Sequence, residues 1–272
     1  MGGLIFSQPR QAKTVFLAAD NIHALNPVVS DALRRLDPGP IRDLARQCEA
    51  NGAEFIDLNP GYLSRRNEDR MAFLVDAVQE AVSARLILDS PNPRVLAKGL
   101  SACRNRPILN ALSLEENKLQ EILPLAAEHR TPLVLLLMDQ RSFPPPTVEE
   151  KLALALELRE HALSAGLNDD DLIFDPVLPN LSWDDALFRV GEAVKTVRLI
   201  STGSVFQEPG QTMAGLSNLR SGHPGRYSWD MEQACMHLLA GAGLNLLLAN
   251  ALRPELVEAF LLVRRMTSPL ES

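Results

Sequence analysis

The chain is poor in the residues that would tie it to nucleic acid, to a membrane or to disulfide chemistry. Aromatic residues make up 5% of its 272 positions, and 27 Lys and Arg stand against 34 Asp and Glu, for a net charge of −7. Without a cationic excess there is little to neutralise phosphates, so non-specific nucleic-acid binding is not expected, and few rings are free to stack on bases. The longest uninterrupted apolar run, Leu133–Met138, falls far short of the roughly 20 residues that a membrane helix needs. The opening MGGLIFSQPRQAK has no basic segment ahead of an apolar one, so it is not read as a secretory signal. Phe6 also stands where a myristoylation motif has Ser or Thr. Cys48, Cys103 and Cys235 lie far apart in helix-like sequence. They are expected to be buried apolar thiols in a reducing, cytoplasmic protein. No His, Cys and Glu spacing for zinc is present, and no bound metal is expected.

What the chain does have is a repeated ending. Short apolar runs stop on an acid or an amide at Asp20, Asp57 to Asn59, Asp89, Asn110, Asp139, Asp175, Asn218 and Asn250, each followed by helix-like sequence. Such alternation predicts parallel βα units. Eight of them close naturally into one (β/α)8 TIM barrel, for which roughly 250 residues is typical, so residues 1–272 are read as a single domain. In that fold the active site lies at the carboxyl ends of the strands. A ring of Asp and Asn there predicts a polar, mostly cation-free cup, suited to an uncharged heterocycle rich in N–H and carbonyl groups rather than to a phosphate.

Boundary signals place the strands near Thr14–Ala19, Glu54–Leu58, Arg85–Asp89, Pro107–Asn110, Pro132–Met138, Asp171–Asp175, Thr212–Leu216 and Leu244–Leu248. Asn51-Gly52 marks a helix end. Ser113-Leu-Glu-Glu116 has the form of a capping box, and Ser182 is a candidate cap for the helix after the sixth strand.

Five segments carry a family resemblance: Asn51-Gly-Ala-Glu-Phe-Ile-Asp-Leu-Asn59, Leu88-Asp-Ser-Pro-Asn92, Pro107-Ile-Leu-Asn110, Phe174-Asp-Pro176 and Gly215-Leu-Ser-Asn218. In order and spacing the chain resembles the pterin-binding methyltransferases. These include the methyltetrahydrofolate–corrinoid protein methyltransferases and, as a relative, the folate domain of cobalamin-dependent methionine synthase. The resemblance implies that Asp89, Asn110 and Asp175 hydrogen-bond the pyrimidine side of a pterin, and that Asn218 sits near the nitrogen carrying the methyl group. Asp57, Gly215 and Ser217 complete the implied pterin site, although Asp57 also reads as a structural bridge between strands. Catalytic roles fall on Asn218, Asp175 and Asp89. The implied substrate is tetrahydrofolate or its methyl derivative, the implied cofactor a corrinoid carried by a partner protein, and the implied assembly a homodimer.

Asp20, His23, Asn59, Met138, Arg220, Ser221 and Arg226 are secondary candidates at or beyond strand ends. Asn59-Pro-Gly61 reads first as a turn. His23 and His223 fall in loops on the same face, and Arg220 and Arg226 could meet a substrate tail, a partner or only solvent. The chain departs from the family pattern in having Ala19-Asp-Asn-Ile-His23 where relatives have Gly-Glu-Arg-Ile-Asn, and Leu219-Arg220-Ser221 after Asn218. These departures leave open a non-catalytic or repurposed pterin-binding subunit. Dihydropteroate synthase is disfavoured because Ser217-Asn-Leu and Ala249-Asn-Ala-Leu stand where its phosphate-binding residues would be. A Schiff-base aldolase is disfavoured because no expected strand carries a lysine.

Overall fold

Side chains alternate across a strand with a period of two, and on five of the eight strands the inward series changes from apolar to polar toward the carboxyl end. In the computed structural model, which describes residues 15–61, 68–222 and 228–267, the strands are β1 (Phe16–His23), β2 (Phe55–Asn59), β3 (Arg85–Asp89) and β4 (Ile108–Leu112). They continue as β5 (Leu133–Leu136), β6 (Leu172–Asp175), β7 (Gln211–Gly215) and β8 (Leu246–Ala249). All pair in parallel in chain order, and β8 pairs back with β1, closing the barrel.

The interior is filled below the cup by Ala18, Phe55, Ile87, Ile108, Val134, Ile173, Met213 and Leu246. Two residues further along five of these strands stand Asp20, Asp57, Asp89, Asn110 and Asp175. On these five strands the two-residue step therefore lifts a polar group above an apolar one, and the apolar layer becomes the floor of the cup.

The outer layer comprises α1 (Pro27–Arg35), α2 (Pro38–Ala50), α3 (Arg70–Gln79), α4 (Pro93–Ala102) and α5 (Glu116–His129), then α6 (Val148–Ser164), α7 (Ala186–Ser201), α8 (Asp230–Gly241) and α9 (Pro254–Thr267). Their inner faces and the outward strand residues form the larger of two apolar cores. Local chemistry sets several ends. Asn26 and Asn92 accept from the N–H two residues on, and Pro27 and Pro93 begin the helices that follow. Gly52, at φ 92, follows α2 as expected. Cys48 and Cys235 are buried, and burial pushes their thiols up to about 12, as it does that of Cys103. All three are therefore protonated packing groups at neutral pH.

Four expectations need correction. First, β1 runs on past Ala19 to His23, with a register shift against β2 between Ala19 and Ile22. That irregularity breaks the alternation at the very place where the sequence reading ended the strand. Second, β5 is shorter than Pro132–Met138, stopping at Leu136. Third, Ser113 caps nothing: its hydroxyl donates to Glu115 and accepts from the Lys118 ammonium, and α5 begins at Glu116 with no side-chain cap. Fourth, the Ser182 N–H donates to Asn180 Oδ1 at 2.9 Å, which places Ser182 in an Asx turn, and α7 starts later, at Ala186.

Candidate functional site

The barrel's carboxyl end opens into a cleft of about 1200 Å³. Asp20, His23, Asp57, Asn59, Asp89, Asn110, Met138, Asp175, Gly215, Ser217, Asn218 and Ser221 all line it. Arg226 and His223 lie outside the described residues. Arg220 is not brought into the cleft and is not a solvated loop residue either. It is buried, its guanidinium 3.3 Å from the centroid of the Trp229 ring, with Arg253 also 3.9 Å from that ring and Glu232 between the two cations. Its sequence neighbourhood, rich in Gly and Ser, gave no sign of that pairing. Two further strand-end residues leave the ring. Asp139 turns back on its own loop to accept from Arg141 and Phe143, and Asn250 is spent on the β8–β1 seam, accepting from Asn21 at 2.7 Å.

Within the cup the polar groups hold one another in place. The Asn59 amide donates to Asp89 Oδ2 at 2.6 Å while its carbonyl oxygen accepts from the Gly61 N–H at 2.9 Å. Asn59 is thus both the turn device that the sequence indicates and the group that orients Asp89. The Asn110 amide donates to Asp57 Oδ1 at 3.5 Å, reaching across β3. Asp175 accepts from the Val177 N–H at 2.8 Å. The Ser217 hydroxyl lies near enough to Asp20 to favour its ionised form. At Gly215 an added Cβ would make only ordinary contacts, 3.8 Å from Leu248 and 3.9 Å from the Asn218 amide nitrogen, so the backbone here tolerates a small side chain.

Burial dominates the electrostatics. It pushes the carboxyl groups of Asp20 and Asp175 up to about 6. Asp57 is raised well above the usual carboxylate range by burial and by its acidic neighbours Asp89 and Asp20. Asp89 is also raised by burial, opposed by the Asn59 hydrogen bond and by Lys118. Burial lowers the His23 imidazole, leaving it neutral at pH 7. The cup is therefore rich in carboxyl groups that burial makes hard to ionise. It is also not remote from cations, because Lys118 and Lys151 act on Asp89 and Asp175 from behind. Among the described residues no group of three or more His, Cys, Asp or Glu is arranged to hold a metal ion.

The β5 and β6 loops build a wall that was not foreseen. Phe143 and Trp183 stack with centroids 5.8 Å apart and planes 14° from parallel, and the Arg189 guanidinium lies 5.5 and 5.2 Å from the two rings. Arg189 also donates to the Pro144 carbonyl at 3.0 Å. In the sequence these residues show only as a proline run, Pro144–Pro146, with Phe143 ahead of it and Trp183 and Arg189 far along the chain.

A closed parallel barrel with an acceptor-rich cup at its carboxyl face defines a class: the (β/α)8 TIM barrels. Comparison with known proteins narrows it. The model for the family "Pterin binding enzyme" matches residues 27–241, and the chain belongs to that family. It is 31% identical over 231 residues to a methylcorrinoid:tetrahydrofolate methyltransferase from Eubacterium limosum, covering 84% of this chain and 82% of that one. It is 23% identical over 215 residues to methionine synthase of Mycobacterium tuberculosis, covering 77% of this chain but 18% of that protein. Among solved structures, a dihydropteroate synthase from Yersinia pestis with a pterine–sulfa conjugate superposes with a TM-score of 0.66 at 17% identity, over 98% of both chains. The 7,8-dihydropteroate synthase of Vibrio fischeri gives 0.67 at 14%, over 98% of this chain and 99% of that one. These structures establish the (β/α)8 fold alone.

Proposed function

We propose that the protein is a methyltransferase that moves a methyl group between N5 of tetrahydrofolate and the cobalt of a corrinoid protein. The observation that carries this reading is the ring of Asp89, Asn110 and Asp175 above an apolar floor, lining one cleft with Gly215 and Asn218. Asp89 and Asp175 are acceptors for ring N–H and exocyclic amino groups, and the Asn110 amide both donates and accepts. Bonds from such donors to ionised carboxylates are short and strong. The name of the Eubacterium limosum relative supports the reaction, and the family supports the pterin.

Asn218 serves the methyl-bearing nitrogen. In the folate-to-corrinoid direction the cobalt's electron pair forms the new bond to carbon. The N–C pair stays on N5, which then takes a proton. A hydrogen bond that strengthens as negative charge gathers on N5 lowers that barrier, and Asn218 is the proposed donor. Asp20, whose carboxyl group burial raises to about 6, is a local proton reservoir near neutral pH. The corrinoid is a substrate borne by a partner protein. Leu25, 90% exposed, and Phe143, 47% exposed, give the mouth an apolar rim for that partner. Among the described residues no helix is long and apolar enough to cross a membrane. A cytoplasmic homodimer remains part of the proposal.

The test is calorimetric titration with methyltetrahydrofolate followed by turnover with reduced cobalamin. One-site binding with methyl transfer supports the enzyme. Binding without turnover points to a pterin-binding subunit, for which the altered Ala19–His23 segment is the supporting observation, and no binding at millimolar ligand removes the pterin reading.

A further inference from the structure

Lys151 lies behind the cup, on the fourth residue of α6, and is 1% exposed. Its ammonium donates to the Pro176 carbonyl at 2.7 Å. The next residue, Val177, has φ 57, a left-handed conformation that is costly for a β-branched side chain. The Val177 N–H is the group that donates to Asp175 Oδ1. An unbroken chain of contacts thus runs from the ammonium through two backbone residues to the carboxylate on the cup wall.

The charged groups around Lys151 are Asp175 on β6, Arg189 and Glu192 on α7, and Glu150 on its own helix. Three of the four are engaged elsewhere. Glu192 accepts from Val148 N–H and Lys195, Glu150 accepts from Thr147, and Arg189 pairs with Asp185. Asp175 has the Val177 N–H and the charge of Lys151 to oppose the effect of burial.

We propose that Lys151 is a positioning residue for pterin binding: by holding the Pro176 carbonyl it keeps Val177 left-handed and Asp175 aimed into the cup. This rests on the reading of Asp175 as a pterin acceptor. The charge of Lys151 has a second effect in the same direction, favouring the ionised carboxylate that accepts the pterin N–H.

The test uses the full-length protein and two readouts. One is methyltetrahydrofolate affinity between pH 5 and 9 by calorimetry. The other is the Asp175 carboxyl titration by carbon-13 NMR without ligand. With folding checked by circular dichroism, Lys151→Met is expected to lose tenfold or more in affinity and to move both the Asp175 titration and the acid limb of binding up by roughly one pH unit. Lys151→Arg keeps both near wild type. Adding Val177→Gly to Lys151→Met recovers part of the affinity, since glycine takes positive φ without being held there, but leaves the titration displaced. Val177→Pro, which forbids positive φ and removes the N–H, reproduces the affinity loss and keeps the idea testable if Lys151→Met does not fold. An unmoved Asp175 titration in Lys151→Met, or an affinity loss untouched by Lys151→Arg and by Val177→Gly, overturns the proposal alone. Wild-type protein that binds no pterin overturns it together with the proposed function.

Discussion

At the scale of single residues, the cup sets stability against binding. Asp57 is buried beside Asp89 and Asp20, and all three carboxyl groups are raised, with burial as the largest cause. A group whose folded pKa lies above its unfolded one contributes stability that is complete below the unfolded pKa and lost as the pH rises through the folded value. In the free protein these acids therefore favour the fold in mild acid and weaken it at neutral pH and above. Asp57→Asn keeps the shape and an acceptor for Asn110 but removes the charge. It is expected to raise the melting temperature at pH 8 by roughly 2 °C or more, with the gain shrinking toward pH 4, while pterin affinity falls. Thermal melts across that range check it, and a variant less stable than wild type at pH 8 contradicts it. Binding and chemistry separate at two other positions. Asp89→Ala leaves pterin N–H groups buried without a partner, a loss of about 1–3 kcal/mol of affinity. Asn218→Ala is expected to leave affinity within a few-fold and to slow methyl transfer by roughly 10²-fold, the scale for one transition-state donor. Equal small effects from the two, measured by calorimetry and single-turnover kinetics, would sink the assignment.

At the scale of elements, two segments of the same form show what sequence reading can and cannot see. Ser113-Leu-Glu-Glu116 and Thr147-Val-Glu-Glu150 both match a capping box, yet only the second is one, with Thr147 accepting from the Glu150 N–H and Glu150 from the Thr147 N–H. Ser113 is taken instead by Glu115 and Lys118, local competitors two and five residues away that the S-x-x-E pattern does not weigh. Thr147→Ala is accordingly expected to cost about 1 kcal/mol, lowering the melting temperature by roughly 2–4 °C. Ligand affinity should hardly change, because the Lys151 contact to Pro176 does not pass through the cap; a loss of affinity matching the loss of stability would count against that separation. The same contrast runs through the site. Asp89, Asn110 and Asp175 stood out because each closes a short apolar run, and the family resemblance then suggested the pterin role. Lys151 did not, because a lysine on an amphipathic helix reads as solvated, and only the folded chain brings Pro176 to it. Arg220 and Trp229 escaped for a similar reason: nine residues apart in sequence, they meet only once β7 and α8 are packed.

At the scale of the whole molecule, the barrel has no free sheet edge, and the cup draws on strands from most of its circumference. Its seam is closed by β8 pairing with β1 and by Asn21, which donates to Asn250 and accepts from the Ala251 N–H at 2.9 Å. A ligand that touches β3, β4, β6 and the segment after β7 at once is bound by groups that exist together only when the ring is closed, so its binding energy is added to the stability of the ring as a whole. At a free pterin concentration of about 100 Kd that is about 2.7 kcal/mol, or a rise of roughly 5–10 °C for a chain of this size. The transition should stay single, since a ligand bridging separate strands holds no part of the barrel apart from the rest. The pH dependence gives the sharper test. Burial holds Asp175 near 6 in the free protein, and a pterin N–H favours its ionised form, so the bound carboxyl titrates lower than the free one. Binding then weakens as the pH falls below about 6, and the ligand-induced rise in melting temperature at fixed pterin concentration should be larger at pH 7.5 than at pH 5. The ligand-free protein should show the opposite trend in the contribution of these acids. Scanning calorimetry with and without methyltetrahydrofolate at the two pH values reads both at once. A rise that is equal at the two values would mean that the carboxylates of the cup do not meet the pterin as charged acceptors, and the site would have to be reassigned to its neutral amides.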